Sequence, residues 1–437
     1  MRLLTDVTPL RENPAFRRLW LGTMLSRTGG AMTSFAVTLQ VYDITRSTAA
    51  VGLLGVAMFI PTLVVALPGG SLADRFDRRR LVLVMTAGQT AVSGLLLANA
   101  VLGGWLSALY ALVAAQSALS AIVAPARTTF IPRLVPAGQQ QAAMALNRIV
   151  FQVVMIVGPA LAGLVTGEIG LKGCYLIDAV TFAGTLWGVG RLPVMLPDPG
   201  QGAAGGRAKT GLALTLEGLG FIRRTQVLCG AFLADVNATF FALPLSLFPA
   251  INAERFGGDP RTLGLFTTAI GLGGLISAVF AGPLRHVSRH GLAMLVCVSV
   301  WGGAFGLFAV APSLWLTLLA LGLAGLADTF TVVLRSTILV ATTPAEFRGR
   351  AMAADYLVGA GGGELGSLEA GLVGSLATPA ISALSGGLIT VVGAIVIGAA
   401  LPGFRRYRVP EKTSAGPEAA PKPELDAAPV PAGESER

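Results

Sequence analysis

The chain has 437 residues, of which 53% are hydrophobic and only 13% charged, and its mean hydropathy is +0.71. Soluble proteins carry roughly 25% charged residues, and the charges here are also clustered. From Leu81 to Ala126 there are 46 consecutive residues without Asp, Glu, Lys or Arg. About 20 apolar residues in a helix cross the hydrocarbon of a bilayer, so this run is long enough for two crossings. These features exclude a soluble protein and predict an all-α membrane protein.

The formal net charge of +9 does not indicate nucleic-acid binding, because the basic residues lie between apolar segments. The three cysteines, Cys174, Cys229 and Cys297, form no C-x-x-C pair, so neither a zinc site nor a disulfide framework is predicted. The only histidines are His286 and His290, too few for the catalytic cluster that a membrane enzyme would need. We therefore predict no enzymatic activity, no cofactor and no metal site.

In chain order, the apolar runs divide at glycine, proline and arginine clusters into twelve predicted membrane helices. The first six lie at 17–42, 48–73, 81–103, 105–131, 139–166 and 170–192. The second six lie at 225–252, 261–284, 291–311, 314–340, 350–375 and 377–402. The fold predicted is two six-helix pseudo-symmetric bundles, at 1–192 and 225–403. They are joined by a cytoplasmic linker at 193–224 and followed by a disordered cytoplasmic tail, rich in Pro, Ala and Glu, at 404–437.

The basic residues predict how the helices are oriented, because short loops rich in Lys and Arg remain cytoplasmic. With twelve crossings, 24 basic residues fall on the side of the two termini and 4 on the other side. Four more, Arg27, Arg127, Arg148 and Arg335, lie inside or at the membrane. We therefore predict a multi-pass protein of the cell (inner or plasma) membrane with both termini in the cytoplasm.

The two halves of the sequence can be superposed at a fixed offset of 208 residues. Six helices followed by six in the same orientation form a parallel repeat, which predicts a substrate site between the halves near the middle of the membrane. The residues that coincide are Arg127 with Arg335, Pro136 with Pro344, Met144 with Met352, Asn147 with Asp355, Gly158 with Gly366, and Gly163 with Gly371.

A charged motif stands between the second and third predicted helices: Gly70-Ser-Leu-Ala-Asp74-Arg75-Phe-Asp77-Arg78-Arg79. It resembles the G-x-L-x-D-R-x-G-R-R signature of the major facilitator superfamily, with Asp77 where that family has Gly. The resemblance implies a gate formed by Gly70, Asp74, Arg75, Arg78 and Arg79, in which Asp74 contacts the eleventh helix. The alternative is an ordinary cytoplasmic loop that carries positive charge.

Other segments narrow the resemblance to one branch of this superfamily. Gly158-Pro159-Ala-Leu-Ala-Gly163 is similar to a motif of drug–proton antiporters, although small residues also serve helix packing. Asn13-Pro-Ala-Phe16-Arg17 and Thr343-Pro-Ala-Glu346 resemble the enterobactin (siderophore) exporters, and related exporters handle macrolides and other drugs. The resemblance implies efflux of a small molecule.

Ionisable side chains inside a membrane are costly and mark functional positions. Arg27 and Asp235 occupy equivalent places in the first and seventh helices, so we predict an ion pair between the halves that breaks during transport. The alternative is that each faces a separate polar pocket. In the eleventh helix Asp355 and Glu369 share one face and Glu364 lies opposite. The candidates for proton coupling or the substrate cavity are Arg27, Asp235, Glu364, Asp328, Asp355, Arg148 and Asn147.

The sequence therefore predicts a secondary transporter that exports a small amphipathic molecule by proton antiport and alternating access. No G-x-x-x-x-G-K-[ST] loop occurs, which argues against ATP as the energy source. A siderophore is the first candidate cargo, and a macrolide or other drug is the alternative. An uptake carrier and a polytopic membrane protein without transport activity are further alternatives. The expected partners are the cargo, protons and membrane lipid, with no nucleic acid, and the expected oligomeric state is a monomer.

Overall fold

The computed structural model describes residues 6–75, 77–192, 211–280, 282 and 287–409. This part of the chain contains helices and no strand, and twelve of its helices are 16–32 residues long. They are α1 Pro14–Thr45, α2 Thr48–Arg75, α3 Arg78–Val101, α4 Leu106–Thr128, α5 Gln140–Ile169, α6 Leu171–Gly190, α7 Gln226–Phe241, α8 Pro260–Val279, α9 His290–Val310, α10 Leu314–Thr342, α11 Ala345–Leu376 and α12 Pro379–Ala400.

Within these residues, nine helical segments are long and apolar enough to cross a membrane. The segments are α2 to α5, α7 with the short helix that follows it, α8 to α10, and α12. The three remaining long helices, α1, α6 and α11, carry the ionisable residues Arg27, Asp178 and Glu364. These side chains lower the mean hydropathy of the three helices.

The packing of the helices repeats from one half of the chain to the other. In the first half α1 packs on α5 and α6, α3 on α4 and α6, and α2 on α4. In the second half α7 packs on α11 and α12, α9 on α10 and α12, and α8 on α10, which are the equivalent pairs. Each half is therefore a six-helix bundle of the same design, in agreement with the offset found in the sequence.

The seventh predicted helix is not continuous. The prediction placed one helix at 225–252, but α7 ends at Phe241 and a second helix begins at Phe248 and ends at Phe256. Pro244 and Pro249 lie at this break, and proline removes a backbone donor and clashes with the preceding turn of a helix. The two pieces together still have the length and apolarity of a membrane span.

The end of the predicted linker is an ordered helix, Gly211–Arg224. Phe221 stacks on Phe347 with ring centroids 5.0 Å apart, and Arg350 Nη1 lies 2.9 Å from Glu217 Oε2. These contacts fasten the linker to the beginning of α11. The earlier part of the predicted linker, 193–210, lies outside the described residues.

The predicted tail begins at 404, but Phe404 belongs to the short helix Pro402–Arg405 and its side chain is completely buried. The ring lies against Gly230 of α7 and Gly291 of α9, so apolar burial holds this residue to the second bundle. Residues 410–437, the rest of the predicted tail, lie outside the described residues. We call the end of the bundle where α1 begins and α12 ends the terminal face, and the other end the opposite face.

Candidate functional site: a cavity and a buried ion cluster

The two bundles meet through two equivalent helix pairs, α2 with α11 and α5 with α8. In the first pair Thr48 Oγ1 donates to the carbonyl oxygen of Gly371 at 2.8 Å. In the second pair Arg261 forms an ion pair with Glu168. Thr48 and Arg261 begin their helices, and Glu168 and Gly371 lie near the ends of theirs, so these contacts close the opposite face.

Small residues allow α5 and α8 to approach closely. A Cβ atom on Gly163 would lie 2.7 Å from the carbonyl oxygen of Pro260, and one on Gly264 would lie 2.6 Å from that of Pro159. Gly158, on the same helix, packs against Ala31 of α1. The predicted motif Gly158-Pro159…Gly163 therefore lies where α5 contacts both its own bundle and the other one.

A cavity of about 660 Å³ lies behind the closed face, mainly within the first bundle. It follows α1 from Phe16 near the terminal face to Thr38, which is roughly 30 Å at 1.5 Å per residue. The other walls come from α2 to α6, and Glu364 of α11 is the one lining residue from the second bundle among the described residues. The sequence predicted a site between the halves, whereas this cavity is displaced into the first half.

Two arginines project into the cavity, Arg27 from α1 and Arg127 from α4. Neither forms an ion pair or hydrogen bond with another described residue. The Nε and Nη2 atoms of Arg127 are buried without a partner in that part of the chain, and the two guanidinium groups repel each other. Asn147 lines the same cavity. The cavity thus combines a largely apolar wall with polar side chains and local positive charge.

The second bundle holds an ion cluster around Arg335 of α10. Arg335 donates to Asp235 of α7, and its Nε lies 3.3 Å from Asp355 Oδ1 of α11, an ionic contact that lacks hydrogen-bond geometry. The Arg335 and Asp235 side chains are only 9% and 6% exposed. Asp328, two turns from Arg335 on α10, interacts electrostatically with Asp235 and Arg335. One arginine thus contacts two carboxylates, with a third two turns away on α10, and no group of His, Cys, Asp or Glu among the described residues forms a metal site.

The predicted ion pair between Arg27 and Asp235 does not form. The two residues do occupy equivalent positions, but α10 packs beside α7 in the second bundle and brings Arg335 to Asp235. Arg27 instead faces the cavity of the first bundle. The two residues therefore have separate surroundings in this structure, which is the alternative that the sequence left open.

The cavity of the first bundle and the ion cluster of the second bundle are built from equivalent positions of the internal repeat. At the offset of 208 residues, Asp235, Asp328, Arg335 and Asp355 correspond to Arg27, Ser120, Arg127 and Asn147. All four residues of the first half line the cavity. The pairing of Ser120 with Asp328 was missed, although the same offset reveals it. The repeat therefore preserves the positions but replaces every carboxylate by a cationic or neutral side chain.

The other predicted site residues lie at separate positions in the structure. Glu364 lines the cavity and packs against Gly55 of α2, on the side of α11 opposite Asp355, as the helical spacing predicts. Arg148 is exposed, and neither it nor the partly buried Glu369 belongs to the described lining of the cavity. Asp178 is fully buried and accepts hydrogen bonds from Thr33 at 2.8 Å and Ser93 at 2.6 Å. This carboxylate ties α6 to α1 and α3.

The gating motif lies at the junction of α2 and α3. The surroundings of Gly70 and the side chains of Asp74 and Arg75 lie outside the described residues, although α2 extends to Arg75. Asp77, which replaces the usual glycine, caps α3 because its Oδ1 accepts from the Arg79 amide at 3.0 Å. Arg78 is buried, and the Arg79 side chain donates to the carbonyl oxygen of Gly190 at the end of α6. The departure from the family signature therefore has a structural role.

The fold described above is shared with solved structures of membrane transporters. The profile of the transmembrane secretion effector family matches residues 4–430. The chain belongs to that family, a branch of the major facilitator superfamily. It is thus a membrane transport protein and not an enzyme.

Curated relatives cover nearly the whole chain. The enterobactin exporter EntS of Shigella boydii serotype 18 is 27% identical over 411 residues, which cover 93% of this chain and 96% of the relative. EntS of Escherichia coli O81 matches with the same identity and coverage. Both proteins carry the name of a siderophore exporter, as the sequence motifs near Asn13 and Thr343 predicted.

Solved structures share the fold. The nucleoside transporter NupG superposes with a TM-score of 0.69 at 14% identity, and the match covers 90% of this chain and 100% of NupG. A bacterial homologue of the iron transporter ferroportin in an inward-facing state has a TM-score of 0.66 at 16% identity, with 90% and 99% covered. At these identities the similarity concerns the fold alone.

Proposed function

We propose that the protein exports a siderophore or a chemically similar amphipathic molecule from the cytoplasm, by alternating access and proton antiport. The observation that carries this proposal is the similarity to enterobactin exporters over 93% of the chain. The chamber behind a closed opposite face supports it, because a cargo that enters from the terminal face would find a polar and aromatic pocket. In this proposal all twelve long helices cross the membrane, and the terminal face is cytoplasmic.

Alternating access requires contacts that can form and break on each face. The contacts of α2 with α11 and of α5 with α8 would be the closed gate on the outer side. The Gly70–Arg79 loop, with Asp74 at the end of α2, would form the corresponding gate on the cytoplasmic side when the protein opens outward. Rocking of two similar bundles about the cavity would then alternate the two gates.

The carboxylates around Arg335 are the proposed route for proton coupling. Burial in a region of low dielectric disfavours carboxylates that have no cation of their own, and here Asp235 and Asp355 share one arginine, with Asp328 near them on α10. A proton that reaches Asp235 or Asp355 would weaken its attraction to Arg335 and free α7 or α11 to move. Glu364, which lines the cavity, is a second candidate carrier of the proton.

Export of a macrolide or another drug is the second candidate. The observation that favours it is the Gly158-Pro159…Gly163 segment, which resembles drug–proton antiporters and lies at the contact between α5 and α8. Apolar residues of the cavity, among them Met58 and Phe59, would suit such cargo.

The experiment that tests these proposals measures flux in inverted membrane vesicles. We expect enterobactin to enter the vesicles faster when their interior is acidified, and erythromycin to enter more slowly or not at all. Empty-vector vesicles are the control for leakage. Uptake of enterobactin that ignores the pH gradient would contradict antiport, and faster transport of erythromycin than of enterobactin would favour drug efflux.

A further inference from the structure

The positive charge of the cavity is not neutralised by an ion pair with a carboxylate in the described part of the protein. Arg27 and Arg127 both line the chamber, and the only carboxylate among the described lining residues, Glu364, forms no ion pair with either of them. The buried Nε and Nη2 atoms of Arg127 are hydrogen-bond donors without an acceptor in this part of the chain. Buried charges are normally paired, so the Arg127 guanidinium needs an anion to satisfy it, and Arg27, whose exposed side chain lines the same chamber, adds a second positive charge there.

The internal repeat indicates that the fold does not require this lack of carboxylates, because the second bundle has carboxylates at the equivalent positions. In the second bundle the equivalent positions supply Asp235, Asp328 and Asp355 around a single arginine. In the first bundle the same positions supply Arg27, Ser120 and Asn147 around Arg127. In the second bundle, carboxylates of the protein itself neutralise the arginine. In the first bundle, the two arginines face an open chamber.

The neighbouring side chains indicate the kind of molecule that carries the anion. Gln116 and Ser120 lie on the same face of α4 as Arg127 by helical spacing, and both line the cavity. Trp20 lies two turns from Arg27 on α1, and Phe59 projects from α2. Aromatic walls beside two guanidinium groups suit a planar aromatic body that bears an oxyanion, since arginine binds carboxylates and similar groups with two parallel hydrogen bonds.

We propose that Arg27 and Arg127 form a subsite that binds an oxyanion borne by an aromatic part of the cargo. This proposal rests on the proposed export function and adds the chemical class of the cargo to it. The ion cluster of the second bundle has the opposite local charge. An anion in the cavity is therefore attracted to one bundle and repelled by the other, which orients the cargo in the chamber.

The test compares salicylate with salicylamide, in which a neutral amide replaces the carboxylate on the same aromatic ring. The full-length protein is studied in phosphatidylcholine nanodiscs, and dissociation constants are obtained by saturation-transfer NMR titration. We expect salicylate to bind at least about tenfold more tightly than salicylamide, because a hydrogen bond to a charged partner is worth about that factor. Equal affinity for the two probes would overturn the proposal.

Variants test whether Arg27 and Arg127 cause the preference for salicylate over salicylamide. In Arg27→Gln and Arg127→Gln we expect the affinity ratio to fall to near one while salicylamide still binds, which also shows that the chamber is folded. Arg27→Lys and Arg127→Lys keep the charge and should keep most of the preference. Arg18→Gln is the matched control, because Arg18 is exposed and lies about 180° around α1 from Arg27. A full preference in both glutamine variants would overturn the assignment.

Two further arms separate the possible outcomes. Adding phosphatidylglycerol to the nanodiscs should leave the salicylate affinity unchanged, and a tenfold loss would assign the arginines to a lipid headgroup instead of cargo. The vesicle experiment with enterobactin and erythromycin is run on the same preparations. Export without any anion preference rejects this subsite alone, whereas anion preference without export of either compound rejects the proposed function alone.

Discussion

At the scale of single residues, the arrangement around Arg335 shows how a membrane protein tolerates several buried charges. Arg335 contacts Asp235 and Asp355, and Asp328 lies within electrostatic range. Removing one member of a buried ion pair leaves the other charge uncompensated, which costs more than the pair itself contributes. The arginine is the most sensitive member here, because it is the only cation among the described residues of the cluster.

This asymmetry predicts the effect of substitutions on stability. We expect Arg335→Gln to lower the free energy of unfolding by about 3–5 kcal/mol, the range for a broken buried pair. Asp235→Asn should cost less, since Arg335 keeps its contact with Asp355. The double variant should cost less than the sum of the two single variants. Denaturant unfolding of the purified protein in detergent measures all three.

Arg18→Gln serves as the control for the stability series, because the side chain of Arg18 is exposed and such changes usually stay within about 0.5 kcal/mol. Additive costs for Asp235→Asn and Arg335→Gln would mean that the two side chains act independently. That result would remove the cluster from the proposed coupling route.

At the scale of helices, the closeness of α5 and α8 depends on the absence of side chains at Gly163 and Gly264. The atoms that would meet a side chain there are backbone atoms of the facing helix, and backbone cannot move aside as a flexible side chain can. Two bundles in contact along such a seam can separate and return without rearranging large side chains. This suits a gate that has to open and close.

A substitution at this seam should therefore hold the opposite face open. We expect Gly163→Leu to increase the rate at which an impermeant maleimide, added to intact cells, labels a cysteine introduced at Thr38 in the cavity. The background replaces the native Cys174, Cys229 and Cys297 by serine. Siderophore efflux should fall in the same variant, since one gate can no longer close.

Gly184→Leu is the matched control for the seam, because a Cβ atom at Gly184 of α6 would meet no atom of another helix in the described part of the chain within 4 Å and so has open space beside it. We expect native labelling and native efflux in this variant. If Gly163→Leu also leaves the labelling of Thr38→Cys unchanged, then the contact of α5 with α8 does not seal the cavity and the proposed outer gate lies elsewhere.

At the scale of the whole molecule, two bundles of one design carry different charges in their centres. Equivalent helix pairs pack in both halves, yet the described cavity lining of the first half includes two arginines and no acid, whereas the second half places three acids near one arginine. A duplicated fold thus keeps its backbone and the arginine at one of four equivalent positions, while the side chains at the other three positions differ. In the proposed mechanism the first half binds the cargo and the second half couples transport to protons.

The arrangement of this molecule in the membrane is open to a direct test. Arg46, between α1 and α2, and Arg80, at the beginning of α3, are both exposed and lie on different faces of the bundle. In the background without native cysteines, we expect Arg46→Cys to react with an impermeant maleimide in intact cells. Arg80→Cys should react only after the cells are permeabilised. The reverse pattern would invert the proposed orientation and would turn export into uptake.

The sequence by itself determined the helices, their order and the family. Apolar runs must be helical in lipid because their backbone groups have no other partners, so each helix follows from a local stretch of residues. The break at Pro244, the ordered helix Gly211–Arg224 and the buried Phe404 were missed, because each depends on a proline kink or a contact with a distant segment.

The tertiary structure decided which charges meet. Asp235 and Arg335 are 100 residues apart in sequence, and their contact depends on how α7 and α10 are rotated and packed. The offset between the halves placed Arg27 and Asp235 at equivalent depths but contained no information on which neighbour each would face. Local hydrophobicity therefore identifies the helices of a membrane protein, whereas the partners of its buried charges are set by side-chain packing between helices that are distant in sequence.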